Sequence, residues 1–401
     1  MIYRFGAFTL DTRTCELECD GQAVAVEPQV FGVLHHLIAN RDRVVSRDDL
    51  ISDVWKGRIV SDATLSSRIS AARIAVGDTG DEQAIIRTLP RRGFRFVADV
   101  EEVAIAPPAS GNPAPVAGGT EPERRQKVQF CRSADGTGIA FATIGEGYPL
   151  VRAGHFLTHL EYDWNSPLWR PFLNELASRF QVIRYDQRGI GLSDWSVANW
   201  QLDRFVEDLE AVVDAAGIDR FALYGTSQGA PISIAYAMRH PDRVSHLLLQ
   251  GGYAQGRLVR DSFSEREQGE AMLTLIRHGW GKQGSPFLRA FSSMFIPGGT
   301  AEQISSLTEL QRRSTTAENA ALLREAVDRF DVSDLLEHIR VPTLVIHARD
   351  DGVQPLDEGR KLASGIPGAE FLMLESGNHV LVQHEPAWPA YFEALEHFVA
   401  D

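Results

Sequence analysis

Ser227 is the side chain around which chemistry can be read first. It stands in Gly225-Thr226-Ser227-Gln228-Gly229, a G-x-S-x-G pattern. Phe221-Ala222-Leu223-Tyr224 before it is a short apolar run, as a buried parallel strand has. Pro231 to Met238 after it reads as a helix with small residues on its first turns. In a chain with 34 glycines the pattern alone says little. Between a strand and a helix it describes an elbow, a turn too tight for a Cβ at its two glycines. Such a turn lifts a serine hydroxyl clear of the sheet. It also sets that hydroxyl at a helix N-terminus, where backbone N–H groups can receive an oxyanion. A serine hydroxyl is a poor nucleophile until a base takes its proton, so the elbow needs partners from elsewhere in the chain.

The elements that must position it follow from the pattern on either side. With 401 residues the chain has room for two or three domains. Hydrophobic residues make up 44% and charged residues 23%, an ordinary globular balance. No apolar run reaches the ~20 residues of a membrane span. The start, MIYRFGAFTLD, lacks the basic and apolar regions of a signal peptide, and the expected location is the cytoplasm. Cys15, Cys19 and Cys131 offer neither a disulfide framework nor a zinc cluster, so no metal and no cofactor are expected. Gly189-Ile190-Gly191 lacks the third glycine of a dinucleotide fingerprint. The net charge of −14 is uneven. Residues 1–100 hold 13 basic and 14 acidic residues, a net of −1, which leaves −13 for the rest. An acidic body does not attract DNA or anionic lipid, so any nucleic-acid contact must come from a local patch in the first hundred residues.

In that stretch, Tyr3 to Leu10, Cys15 to Glu18 and Ala23 to Val26 read as three strands. Pro28 opens a helix with Val30, Leu34, Leu37 and Ile38 on one face. Ser46 caps a second helix carrying Leu50, Ile51, Val54 and Trp55. Ser61 caps a third, running through Leu65, Ile69 and Ile74 to Gly77. Ala84 to Thr88 and Phe94 to Val97 pair as a hairpin around Pro90-Arg91-Arg92-Gly93. This order, with Val44-Val45-Ser46-Arg47-Asp48-Asp49-Leu50, Leu65 to Arg73 and Arg91-Arg92-Gly93-Phe94-Arg95-Phe96, resembles the OmpR/PhoB-type winged helix-turn-helix DNA-binding domain. The resemblance implies that the third helix enters the major groove and the wing meets the minor groove or backbone. Thr64, Ser67, Arg68 and Arg73 on the helix, and Arg91, Arg92 and Arg95 on the wing, are the candidate contacts to double-stranded DNA. The domain is not basic overall. The expectation is modest affinity and a homodimer on paired half-sites, with RNA polymerase as a further candidate partner.

Residues 101–125 are rich in Pro, Ala and Gly without periodicity and read as a flexible linker between a domain at 1–100 and another at 126–401. From Val128 strands alternate with helices, which predicts an α/β architecture with a mostly parallel sheet covered on both faces. Tyr185-Asp186-Gln187-Arg188-Gly189-Ile190-Gly191-Leu192-Ser193-Asp194, Val341 to Asp351, and Ser376-Gly377-Asn378-His379 resemble the corresponding loops of the α/β-hydrolase family. That resemblance implies a triad: Ser227 as nucleophile, His379 as base and Asp351 as the acid that orients it. Asp350 is the rival acid, and strand-end spacing favours Asp351. The oxyanion donors implied are the backbone N–H groups of Gln228 and Phe156, the latter because Ala153-Gly154-His155-Phe156 stands where the family has His-Gly. His155, His159, His347 and His384 have ordinary readings as loop, helix or strand residues. Residues at about 253–340, with Trp280, Phe287, Phe291, Met294 and Phe295, resemble a helical cap over the pocket and suit a small hydrophobic or ester-like ligand.

Two functions fit. One is a one-component transcription regulator whose hydrolase-fold domain binds a small molecule, with or without hydrolysing it. The other is a carboxylic-ester hydrolase, an esterase-like enzyme, with the winged helix as an accessory or oligomerisation module. A filled triad beside an arginine-rich wing favours the first.

Overall fold

A computed structural model describes residues 2–12, 16–19, 22–24, 26, 28–54, 62–80, 82–89, 92–103 and 124–400. The chain divides into two compact units, Met1–Gly119 and Thr120–Asp401.

The first unit opens with β1 (Ile2–Phe5), β2 (Phe8–Asp11), β3 (Glu16–Cys19) and β4 (Gln22–Val24). The single strand expected over Tyr3 to Leu10 is two strands, because the chain turns at Gly6-Ala7 and pairs Phe5 with Phe8. Helices α1 (Pro28–Ala39), α2 (Arg47–Val54) and α3 (Asp62–Ala75) follow, then β5 (Ile86–Leu89), β6 (Gly93–Phe96) and β7 (Glu101–Val103). Strand β7 pairs with β1, so Glu101 to Val103 belong to this unit and not to the linker that they were expected to begin. The strands make an antiparallel sheet in the order β4-β3-β2-β1-β7, beside the β5–β6 hairpin. Val30, Leu34, Leu37 and Ile38 of α1 are buried against Leu10, Leu50, Leu65 and Ile69. Ser46 and Asp49 cap α2 reciprocally, each backbone N–H donating to the other's side chain at 3.0 Å. Ile74, placed on the run of α3, is 77% exposed. Cys15, Trp55, the Ser61 cap and most of the expected linker lie outside the described residues.

The second unit begins with β8 (Lys127–Arg132), β9 (Gly138–Ile144), β10 (Tyr148–Arg152), α4 (Leu160–Trp164), α5 (Trp169–Ala177), β11 (Phe180–Asp186), α6 (Leu202–Ala216), β12 (Phe221–Thr226), α7 (Gly229–Arg239) and β13 (Val244–Gln250). Next come α8 (Phe263–Gly279), α9 (Pro286–Phe295), α10 (Ala301–Ser314) and α11 (Ala317–Val327) as a helical insertion. The chain ends with β14 (Thr343–Ala348), α12 (Leu356–Gly365), β15 (Glu370–Leu374) and α13 (Ala387–Ala400). One eight-stranded sheet runs β15-β14-β13-β12-β10-β11-β9-β8. The six strands from β15 to β11 are parallel, and β9 and β8 close one edge antiparallel. Every residue of β12 and β14 is buried, which is why these strands read as continuous apolar runs without alternation. Among the described residues, no helix is long and apolar enough to cross a membrane.

The loop after β11 is held by buried charge. Arg188 donates from Nε and Nη2 to the two oxygens of Asp208 on α6, at 2.9 and 2.7 Å, and from Nη1 to Asp135 at 2.8 Å. The side chains of Arg188 and Asp208 are fully buried. Asp208→Ala would strip the buried guanidinium of the carboxylate at its Nε and Nη2, leaving it the carboxylate of Asp135 alone, and is expected to lower stability by about 3–5 kcal/mol in urea unfolding of the full chain. A loss under ~1 kcal/mol, the scale of an exposed pair, would show that the pair is not a structural anchor.

Candidate functional site

The elbow begins where β12 ends. Ser227 has φ +55°, a left-handed conformation that a serine adopts only when its surroundings impose it. Its N–H donates to the Gln250 carbonyl at 2.8 Å, and its own carbonyl accepts from Ala230 N–H at 3.0 Å as α7 begins. A Cβ on Gly225 would lie 2.6 Å from the Gly229 carbonyl oxygen, and one on Gly229 would lie 3.2 Å from that of Gly154. The turn therefore closes only with small residues at these places.

Asp351 follows β14. Its Oδ1 accepts from the N–H groups of Val353 and Gln354 at 2.7 and 2.9 Å, and its Oδ2 lies 2.6 Å from His379 Nδ1. Burial pushes this carboxyl up. The His379 contact and the two backbone donors outweigh burial and hold it below the usual aspartate range. Asp350 is exposed and does not take this place. His379 sits on the loop after β15, where its N–H donates to the Phe295 carbonyl at 2.9 Å. Its Nε2 is buried without a hydrogen-bond partner among the described residues.

Ser227 and His379 share one small cavity, with a volume of about 20 Å³, room for one water. His155, Phe156, Leu157, Trp169 and Thr226 line it from the sheet side, with Val380 beside His379, and Phe295, Leu307 and Gln311 from the helical insertion. Of the aromatic residues expected over the pocket, only Phe295 lines it. Trp280 and Phe291 pack edge-on against Phe156, 6.3 and 6.0 Å between ring centroids, and Met294 is 36% exposed. Phe156 lines the cavity, and Gln228, directly after Ser227, is the N-cap residue of α7.

Sequence reading passed over His155 and Trp169. His155 resembled any loop histidine, and Trp169 gave no signal, because only the fold brings the start of α5 to the elbow. His159 caps α4, accepting from Tyr162 N–H at 3.3 Å. His347 is buried, and its Nε2–H donates to the Gln354 carbonyl at 3.0 Å, bracing the Asp351 loop. His384 lies exposed, 3.1 Å from the Gly298 carbonyl. Among the described residues, no group of three or more His, Cys, Asp or Glu side chains could hold a metal ion.

In the first unit the expected DNA contacts separate. Ser67, Arg92 and Arg95 are exposed, and Arg68 is half-buried. Arg73 is different: it is 7% exposed, and its guanidinium donates to the Ile86 carbonyl at 3.0 and 2.7 Å and to Thr88 Oγ1 at 2.8 Å. Arg73 fastens α3 to the hairpin and is withdrawn from solvent. The Thr64 side chain and Arg91 lie outside the described residues.

Comparison with known proteins agrees with both units. Residues 155–385 match the family model described as "alpha/beta hydrolase fold". The chain belongs to the α/β-hydrolase family. Residues 21–96 match the model "Transcriptional regulatory protein, C terminal", so an OmpR/PhoB-type DNA-binding domain is fused in front of the hydrolase fold. The chain is 31% identical over 218 residues to "Putative carbamate hydrolase RutD" of Azorhizobium caulinodans, spanning 53% of this chain and 78% of that protein. It is 28% identical to the protein of the same name from Escherichia coli O1:K1, over 54% and 81%. Among solved structures it resembles an esterase from Exiguobacterium antarcticum, with TM-score 0.58 and 23% identity, over 68% of this chain and 99% of that one. It also resembles an enol-lactonase from Burkholderia xenovorans LB400, with TM-score 0.54 and 23% identity, over 68% and 100%. These structural likenesses speak for the fold.

Gly251 gives the site a local test. It has φ +55°, and a Cβ there would lie 3.0 Å from His379 Cε1 and 3.1 Å from Nδ1. Gly251→Ala is expected to push the imidazole aside and slow labelling of Ser227 by a fluorophosphonate probe ~10- to 100-fold, with unchanged far-ultraviolet circular dichroism. Labelling at the original rate would remove His379 as the base.

Proposed function

We propose that the chain is a ligand-responsive DNA-binding regulator whose hydrolase unit binds a small acyl compound against Ser227 and cleaves it. Occupancy of that cavity changes the affinity of the winged-helix unit for double-stranded DNA. The observation that carries the chemistry is the elbow serine at φ +55° sharing a cavity with a histidine whose other nitrogen is bonded to Asp351.

The mechanism follows from these groups. His379 Nε2 takes the Ser227 proton as Oγ attacks the ligand carbonyl, and Asp351 fixes the tautomer and stabilises the imidazolium. The N–H groups of Gln228 and Phe156 receive the oxyanion. His379 then returns the proton to the leaving group, and a water activated by the same histidine releases the acyl group and restores Ser227. The relatives named as carbamate hydrolases support a hydrolysis centred on a carbonyl.

Ser67, Arg68, Arg92 and Arg95 are the side chains proposed to meet DNA, with a homodimer spanning two half-sites. Each of Arg92→Ala and Arg95→Ala is expected to lower the slope of log affinity against log salt by ~0.9 for the promoter region of the protein's own gene. Arg73→Met is expected to leave the slope alone while lowering the melting temperature. No salt-sensitive complex with that DNA would end the regulator reading.

Ser227→Ala is expected to abolish p-nitrophenyl ester turnover, and retained turnover would remove Ser227 as nucleophile. Turnover that depends on Ser227 in a chain that binds no DNA would make it a hydrolase with an accessory winged helix.

A further inference from the structure

Against Trp169, one of the residues lining the Ser227 cavity, lies a buried cation with no ion-pair partner among the described residues. Arg152, the last residue of β10, is 3% exposed. No carboxylate among the described residues forms an ion pair with it, and its Nε and Nη2 have no hydrogen-bond partner among them. Its guanidinium rests on aromatic faces, 4.7 Å from the Trp169 ring centroid, 5.5 Å from Phe172 and 5.9 Å from Tyr224. Its cross-strand neighbour in the register of β10 and β11 is a second buried arginine, Arg184. Arg184 uses the adjacent carboxylate, donating to Asp163 at 2.9 Å, and it also bonds to Gln126 and the Leu160 carbonyl. Asp186 is committed to Thr158 Oγ1 and to the N–H groups of Leu160 and Leu192. A guanidinium cannot shed its proton, and leaving its donors buried and unpaired is costly.

Two further donors on residues that line the cavity are also unanswered, beside the Thr226 hydroxyl. His155 and Trp169 both line it, with ring centroids 4.9 Å apart. His155 Nε2 and Trp169 Nε1 are buried, and each lacks a hydrogen-bond partner among the described residues. Burial, followed by the charges of Arg152 and His379, holds His155 well below its usual range. His155 is therefore neutral, and the positive charge near this wall is that of Arg152, which lies against the Trp169 indole face and strengthens its N–H as a donor.

We infer that the end of the cavity between His155 and Trp169 is a subsite for an anion, and that the ligand is a small acyl compound bearing a carboxylate distant from its reactive carbonyl. The carboxylate takes the Trp169 and His155 N–H groups over the Arg152 guanidinium, and the carbonyl lies at Ser227. Arg152 acts through the indole and its field, as a positioning residue. This rests on the proposed reading only in taking Ser227 as the reactive end. The free space of about 20 Å³ means that Phe295, Leu307 and Gln311 of the helical insertion must yield to admit even a four-carbon acid.

The test uses the full chain with Ser227→Ala, titrated calorimetrically with monomethyl succinate and with methyl succinamate, its neutral counterpart of equal size. The acid is expected to bind at least ~10-fold more tightly, the scale of one charge at several ångströms in a partly buried site. Arg152→Met in the same background should remove the preference without lowering the melting temperature, because an unpaired charge is replaced by an apolar chain. Should that variant fail to fold, Trp169→Phe decides, since it keeps the ring under the guanidinium and loses the N–H. It should weaken the acid more than the amide. Equal binding, tighter amide binding, binding of neither compound, or a preference that survives both substitutions overturns the proposal. Fluorophosphonate labelling of the unmodified protein and the DNA titration report on the triad and the regulator separately, so failure of either is distinguishable from failure of the anion subsite.

Discussion

Ser227 is held at φ +55° because a fully buried strand must become a buried helix within two residues. The elbow can exist only at the C-terminal end of a parallel strand, where the following helix turns back over the sheet. Small residues are required where backbone crosses backbone, and a hydrogen bond from Ser227 N–H to Gln250 ties the turn to the neighbouring strand. The same parallel arrangement ends β13, β14 and β15 on that edge, which is how Gly251, Asp351 and His379 come within contact of one another.

Around this edge the unit uses buried polar groups to fix loops that apolar packing alone would leave undefined. Asp186 gathers Thr158, Leu160 and Leu192, and so fixes the far side of the segment carrying His155 and Phe156. Arg188 does the same for the loop after β11 through Asp208 and Asp135. Tyr224, Tyr391 and Gln250 form a closed, buried hydrogen-bonded set. Arg152, Trp169 and His155 are among the buried donors of this unit without an acceptor among the described residues, as are Arg184 Nε, the Thr226 hydroxyl and Trp280 Nε1.

The DNA-binding unit follows the same logic with less material. Asp78 collects the N–H groups of Thr79, Ala84, Ile85 and Ile86, and Arg73 spans from α3 to the hairpin. Two side chains whose charge suggests solvent are therefore internal braces. Among the described residues of the hairpin, Arg87, Arg92 and Arg95 remain exposed, a small positive patch on a unit that is close to neutral.

The amino-acid sequence was enough for the two folds, their order and the identity of the elbow, because these depend on local periodicity and turn chemistry that neighbouring residues carry. It also brought out Asp351 and His379, whose loops keep a recognisable pattern. It missed the turn that splits the first strand, and it took Glu101 to Val103 as linker, because a three-residue edge strand has no periodicity to read. Tertiary structure alone decided which arginine is surface and which is core. Arg73 and Arg92 look alike in a string of residues, and only the packing of α3 on the hairpin separates them. It alone placed Trp169 and His155 in the cavity and Arg152 behind them, since burial and the absence of a partner are properties of neighbours in space.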